Sequence, residues 1–319
     1  MERLISEDEV DFIFGPYGSG LTVASSTITE RNGVIMMAGG AGATSVYDRG
    51  FKYLFSPLSP VSSFTRSGLE ELVAQHDVQT LGILHTDDAA MNDLSDAAEL
   101  IAQEYGMEVV SRQTVPADAT DISGAMTQLA QADPDVLLSA GHLVAGILSV
   151  QTMQQVGWTP DHVLMIQAPG EPDFVEQLGA ETVEGILGPV NWHQDAAWEG
   201  EWMGSAKDYR DRFFEAYGEE PSYLPPGATA AALALQLGIE EAGTLETEAV
   251  HEAIQNLEVE TFYGTLAFSD EDDPSGLRGK NVNRDMLTIQ LKDGEQVVVA
   301  PESAAMGETI DVMVPWDER

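Results

Sequence analysis

The chain has no cysteine, which excludes a disulfide framework and thiolate metal sites. It is poor in positive charge: 14 Lys and Arg stand against 54 Asp and Glu, a formal net charge of −40. Such a chain has no basic surface to displace counterions from phosphates, which excludes nucleic acid as a partner. Anionic lipid surfaces are excluded on the same ground. No apolar run is long enough to span a bilayer. The start, Met1-Glu2-Arg3-Leu4-Ile5, lacks the apolar stretch of an export signal. Glycine and proline are scattered, so no segment reads as a disordered linker.

What is present is acid, spread through the body of the chain: Glu7, Asp8 and Glu9, then Glu70 and Glu71, Glu240 and Glu241, and Asp270 to Asp273. A compact chain so charged repels itself in dilute salt. Molar salt shortens the Debye length to about 3 Å and removes most of that cost, so a halophilic source is expected. The 319 residues exceed one ordinary core and suit two lobes.

Short apolar runs alternate with amphipathic stretches, the pattern of parallel sheets covered by helices on both faces. Strands are expected at Val10–Phe14, Val34–Met37, Leu81–His85, Glu108–Ser111, Val136–Ser139, Val163–Gln167 and Val183–Val190. Helices are expected at Val61–Gln75, Ala89–Tyr105, Ile122–Ala132 with Asp121 as N-cap, and Leu143–Val156 closed by Gly157. Further on, Tyr209–Tyr217, Ala228–Ala242 and Glu248–Leu257 read as helices. Phe262–Phe268, Met286–Leu291 and Gln296–Val299 read as strands, the last two joined by an Asp293-Gly294 hairpin turn.

Ligands of doubly wound sheets bind beyond the C-terminal strand ends, so the residues there are the candidates. They are Gly15 to Gly20, Ala38 to Ala43, His85 to Asp88, Ala140 to His142, Ala168 to Gly170, and Asn191 to His193. Small residues let backbone N–H groups and helix N-termini approach an anionic head group. Gly15 to Gly20 lacks the Gly-Lys-Ser/Thr ending of a phosphate loop. Ser19 lacks the nucleophile-elbow pattern, and as a structural residue it would simply cap the following helix. His85, Asp87 and Asp88 have the look of a metal cluster, but neighbouring aspartates are expected by chance among so many acids, and no metal or other cofactor is called for.

Several segments resemble the type I periplasmic binding proteins of the branched-chain amino acid (Leu/Ile/Val) class. They are Val10-Asp11-Phe12-Ile13-Phe14-Gly15-Pro16-Tyr17-Gly18-Ser19, Arg49-Gly50-Phe51-Lys52-Tyr53-Leu54-Phe55 with Leu58-Ser59-Pro60, Gly141-His142, Glu184-Gly185-Ile186, Thr261 to Phe268, and Leu287 to Pro301. The resemblance runs through the chain in order and is to a haloarchaeal-like member. It implies two Rossmann-like lobes joined by three crossovers, near Leu58, Trp192 and Asp270. The N-terminal lobe would be residues 1–58 plus 192–270, and the C-terminal lobe 59–191 plus 271–319. Against the family, the first strand-helix-strand unit and the export signal would be missing from an N-terminally truncated chain, leaving a strand edge unpaired.

The resemblance further implies a binding protein and not an enzyme: an extracytoplasmic, surface-tethered, monomeric subunit that delivers an amino acid or related carboxylate to ABC permease subunits. Ser19, with Tyr17 and Gly18, matches the family's carboxylate-holding turn, and Gly40, Ala41 and Gly42 match the next ligand loop. Ala90, beside Asp88, falls where the family often has a ring. His142 falls where a second-lobe ring covers the ligand, Ala168 and Pro169 where an acid often holds the ammonium, and Trp192 at a crossover. Gly42 replaces a frequent threonine and Ala168 a frequent glutamate, so a carboxylate without an α-amine is an open alternative. A sensor domain of the same fold is the rival function, with a hydrolase using Ser19 or a metal at His85 and Asp88 behind it.

Overall fold

The computed structural model describes residues 1–222, 224–282, 284 and 286–319. The chain forms two α/β units: residues 1–61 with 194–284, and residues 62–193 with 285–319. It therefore passes from one unit to the other three times. Residues 271–284, assigned from sequence to the C-terminal lobe, belong to the first unit. The reason is backbone pairing: Ser56 N–H donates to Gly279 O at 2.9 Å, and Ser56 and Phe268 form bridges with Lys280 and Asn281. Asn281 then donates through Nδ2 to the Pro57 and Thr265 carbonyls. The segment is stitched to the first unit before the chain leaves it.

The first unit has a parallel sheet in the order Phe12–Phe14, Ile35–Met37, Leu54–Phe55. Ile35, Met36 and Met37 are fully buried, as a central strand covered on both faces requires. The helix Ser19–Asn32 follows the first strand and ends at Gly33, whose left-handed φ of 65° closes it. Val34, Met36, Val46, Tyr47 and Leu54 share one core cluster. Three helices, Ala206–Tyr217, Leu224–Ala242 and Thr247–Gln255, complete the unit with a hairpin. That hairpin, Glu258–Thr261 with Gly264–Ala267, replaces the single strand expected at Phe262–Phe268. Gly264, at φ 82°, permits the reversal, and Thr261 Oγ1 donates to its carbonyl.

The second unit is a seven-stranded sheet in the order Glu295–Ala300, Leu287–Lys292, Leu187–Val190, His162–Met165, Val136–Ala140, Thr80–Thr86, Glu108–Val115. The five strands from Leu187–Val190 onward are parallel, and Leu287–Lys292 pairs antiparallel on both of its sides. From Thr80–Thr86 the chain moves outward to Glu108–Val115; from Val136–Ala140 it moves the opposite way to His162–Met165. The order thus reverses between Thr80–Thr86 and Val136–Ala140, which makes their C-terminal ends the switch point of this sheet.

Local signals hold at most places. Helices Ala89–Glu104 and Leu143–Val156 lie as expected, and Gly157 takes the left-handed cap conformation at φ 69°. Asp293 and Gly294 turn the final hairpin with φ 53° and 81°. Asp121 is not the N-cap of Ser123–Ala132; Ile122 is, although Asp121 Oδ1 accepts the Ser123 N–H at 2.9 Å. The strand expected at Val183–Val190 starts only at Leu187, because Ala180–Val183 is a helical turn and Gly185 follows at φ 83°. Among the described residues no helix is long and apolar enough to cross a membrane.

Candidate functional site

In the first unit the candidate residues converge on the C-terminal ends of Phe12–Phe14 and Ile35–Met37. Gly18, at φ 92°, is the N-cap of the helix Ser19–Asn32, and its N–H donates to Gly40 O at 2.9 Å. Ser19 is therefore the first helical residue and not the cap expected from sequence. Its hydroxyl reaches across to the neighbouring loop, where Oγ accepts the Ala43 N–H at 3.1 Å. These two bonds tie the turn Tyr17–Ser19 to the loop 40–43 and bring six candidates together: Tyr17, Gly18, Ser19, Gly40, Ala41 and Gly42.

Packing fixes the loop in that place. A Cβ at Gly40 would lie 2.6 Å from the Tyr17 ring, so only glycine lets that ring sit on the loop. At Gly42 a Cβ would meet Val61 Cγ1 at 2.8 Å, and the Gly42 carbonyl accepts the Val61 N–H at 2.8 Å. Glycine at 42 is thus a packing requirement of this chain. Ala41 is buried, and its carbonyl accepts the hydroxyl of Tyr47, whose ionisation burial pushes far up. The ring remains a neutral donor. At the helix start, the first amides have no carbonyl partner in the preceding turn and carry the positive end of the helix dipole. The corner therefore offers backbone N–H groups and one hydroxyl to an anion.

In the second unit the candidates separate into two groups. Gly141 and His142 follow Val136–Ala140, and Asp88 and Ala90 follow Thr80–Thr86, on either side of the switch point. Asp88 is committed to its own helix: Oδ1 accepts the Met91 N–H at 3.1 Å and Oδ2 the Thr86 hydroxyl at 2.8 Å. His85 turns elsewhere, with Nε2 2.8 Å from Thr114 Oγ1 and 3.4 Å from Arg112 Nε. Burial pushes its ionisation down. The two side chains thus serve separate hydrogen bonds, and the described residues hold no group of three or more metal-type ligands.

Ala168 and Pro169 are buried. Ala168 packs so closely on Gly146 of the helix Leu143–Val156 that a Cβ there would lie 2.5 Å away, and Pro169 packs on Gly188. Both are core residues of the unit, as is Trp192 at 6% exposure. Their neighbours carry the polar groups that sequence reading passed over. Gln167 Oε1 lies 2.6 Å from His142 Nδ1, and Gln167 Nε2 donates to Glu171 Oε1 at 3.3 Å. Gln167 had been read only as a strand end, and nothing in its sequence surroundings marks it. A mainly apolar cavity of about 130 Å³, bordered by Leu84, Thr86, Val115, Leu148 and Ser149, opens beside these strand ends. It offers about the room of a small apolar group.

Two α/β units with strand-end loops of small residues, and a chain that passes between them three times, define the architecture of type I periplasmic binding proteins. The chain belongs to the periplasmic binding protein family, whose profile matches residues 1–295. It is 23% identical over 320 residues to Leu/Ile/Val-binding protein homolog 7 of Brucella abortus, covering 96% of this chain and 78% of that protein. It is also 23% identical over 325 residues to Leu/Ile/Val-binding protein homolog 8 of Brucella melitensis, with 96% and 77% covered. Among solved structures, the leucine-binding protein LivK of Thermotoga maritima superposes with a TM-score of 0.79 at 22% identity, covering 94% of this chain and 81% of that one. LivJ of Streptococcus pneumoniae, solved in complex with isoleucine, superposes with a TM-score of 0.74 at 20% identity, with 94% and 82% covered.

Proposed function

We propose that this protein is the extracytoplasmic solute-binding subunit of an ABC importer, and that it captures an amino acid or closely related small carboxylate without reacting with it. The observation that carries this reading is the corner at Ser19: a helix start, a hydroxyl and a glycine-rich loop held together by Gly18 N–H to Gly40 O and Ala43 N–H to Ser19 Oγ. Such a corner suits a carboxylate. Among the described residues the bond to the Ser19 hydroxyl comes from a backbone N–H and not from a base that could activate it, which favours binding over hydrolysis. Relatives named for binding leucine, isoleucine and valine support the choice of ligand class. In this reading Tyr17, Gly18, Ser19, Gly40, Ala41 and Gly42 hold the carboxylate.

The ligand stabilises the conformation that binds it best, and that form docks on the membrane permease. The acid surplus fits a protein that works in concentrated salt outside the cell. Titration calorimetry in molar salt with leucine, isoleucine, valine and short aliphatic carboxylates tests the reading. Saturable binding of at least one, weakened about 10-fold or more by Ser19→Ala, is the expected result. Absence of binding across the panel, or turnover of any member, would overturn it.

A further inference from the structure

We infer that the cavity of the second unit is a binding site in its own right, which takes a neutral apolar molecule of about six carbon atoms. It goes beyond the proposed function, because none of the residues proposed to hold a carboxylate takes part. Among the described residues, all that border the cavity belong to the second unit. The other candidates of that unit, Asp88, Ala90, His142 and Ala168, do not lie on its wall.

The space arises from side-chain size. Thr80–Thr86 and Val136–Ala140 end against the start of the helix Leu143–Val156. Around this junction the wall carries Ala140 and Ala145, and the loop over it carries Ala117 and Ala119. The helix cannot sink inward to fill the room that these short side chains leave. A Cβ at Gly141 would meet Ala145 Cβ at 2.7 Å, and one at Gly146 would meet Ala168 Cβ at 2.5 Å. Helix and strand ends are thus already in contact, and the volume of about 130 Å³ persists beside them. Protein interiors hold few voids larger than a water molecule, so a space of this size with fixed walls stands out.

The chemistry of the wall decides the guest. Leu84, Val115, Ile122 and Leu148 supply apolar surface. The buried polar side chains among them are engaged with the protein itself. Ser139 Oγ donates to Ser149 Oγ at 3.0 Å, and Ser149 Oγ donates to the Ala145 carbonyl at 2.8 Å. Thr86 Oγ1 donates to Asp88 Oδ2 at 2.8 Å, and His85 Nε2 lies 2.8 Å from Thr114 Oγ1. A buried water needs several polar partners, whereas an apolar cavity of about 150 Å³ stays dry and takes benzene or xenon. This wall suits the second kind of guest. Asp118 and Thr120, the remaining polar side chains of the border, are exposed on the loop above. Val144 borders the same space at 76% exposure, so the way in runs under that loop and past an apolar side chain.

Benzene is the probe, added up to its solubility and followed by methyl NMR of the full chain. Two variants, Leu148→Phe and Val115→Phe, fill the cavity from different walls. The expected result is a saturable shift of the Leu84, Val115, Ile122 and Leu148 methyl signals, while those of Leu54 and Leu233 in the first unit stay in place. Each phenylalanine should remove the saturable shift of the remaining wall signals, and excess leucine should leave benzene binding unchanged. Absence of the shift in the wild type overturns the inference, as does its survival in both variants. Displacement of benzene by leucine also overturns it: the cavity would then be part of the amino-acid site, and the proposed function would stand. If one variant does not fold, the other variant and the wild-type titration decide. A wild type that binds benzene at these methyls but neither amino acids nor carboxylates supports this inference and sinks the proposed function.

Discussion

At the scale of single residues, His162 shows how burial sets chemistry away from any ligand. It begins the strand His162–Met165, is 2% exposed, and lies with its ring 4.5 Å from that of His76. Burial, reinforced by His76 and opposed by Asp135, pushes its pKa down to about 4. A histidine in an unfolded chain titrates near 6.5. Between about pH 6.5 and 4 the unfolded chain therefore binds a proton that the folded protein refuses. Stability from this source is complete above that window, is lost as pH falls through it, and falls no further below it. Denaturant unfolding across the window should show a shallower pH slope in His162→Gln than in the wild type; identical slopes would assign the effect elsewhere. At the same scale, the placement of Ser19 and His142 just beyond strand ends was legible in the sequence, because small residues after an apolar run point to a strand end. The contacts of Gln167 with His142 and Glu171 were not legible, because they depend on a γ-turn and on a histidine about 25 residues upstream, and no periodicity encodes either.

At the scale of elements, sequence reading recovered those whose apolar period was long, such as Ala89–Glu104 and Val136–Ala140. It missed Leu54–Phe55, too short to show a period, and the first arm of the hairpin, Glu258–Thr261, and it began the second arm too early, at Phe262, because Phe262 and Tyr263 keep the run apolar through the turn. The helix Leu143–Val156 gives a sharper test of which effect wins. Replacing Gly146 by alanine gains about 1 kcal/mol of helix propensity. The new Cβ, however, would come within 2.5 Å of Ala168 and 3.0 Å of Met165 Sδ. Overpacking of this kind costs about 1–3 kcal/mol, so Gly146→Ala should be destabilising despite the better helix former. Chemical denaturation checks it. A raised midpoint would mean that the helix shifts freely on the loop at Ala168.

At the scale of the whole molecule, charge dominates. With a net charge of −40 and basic residues mostly engaged in exposed ion pairs such as Arg66 with Glu104 and Lys207 with Asp211, self-repulsion opposes folding wherever screening is weak. Each of those pairs contributes little, because water already screens it. The thermal midpoint should accordingly rise steadily from about 0.1 M to 2 M KCl, through the range where the screening length falls from about 10 Å toward 3 Å. A midpoint that is flat or falling with salt would show that the acids are locally compensated. The division into two units was also legible at this scale, but the last passage between them was placed too early, at Asp270. Backbone pairing of Ser56 with Gly279 and Lys280 is a long-range event that local pattern cannot announce.

That stitching has a consequence for biosynthesis. The edge formed by Ser56 waits for a segment that leaves the ribosome more than 200 residues later. The second unit likewise lacks two of its seven strands until Leu287–Lys292 and Glu295–Ala300 have been made. Neither half can reach its final form before these late segments have been made. Both units therefore complete their sheets only once residues 279–300 have been made, whatever forms earlier.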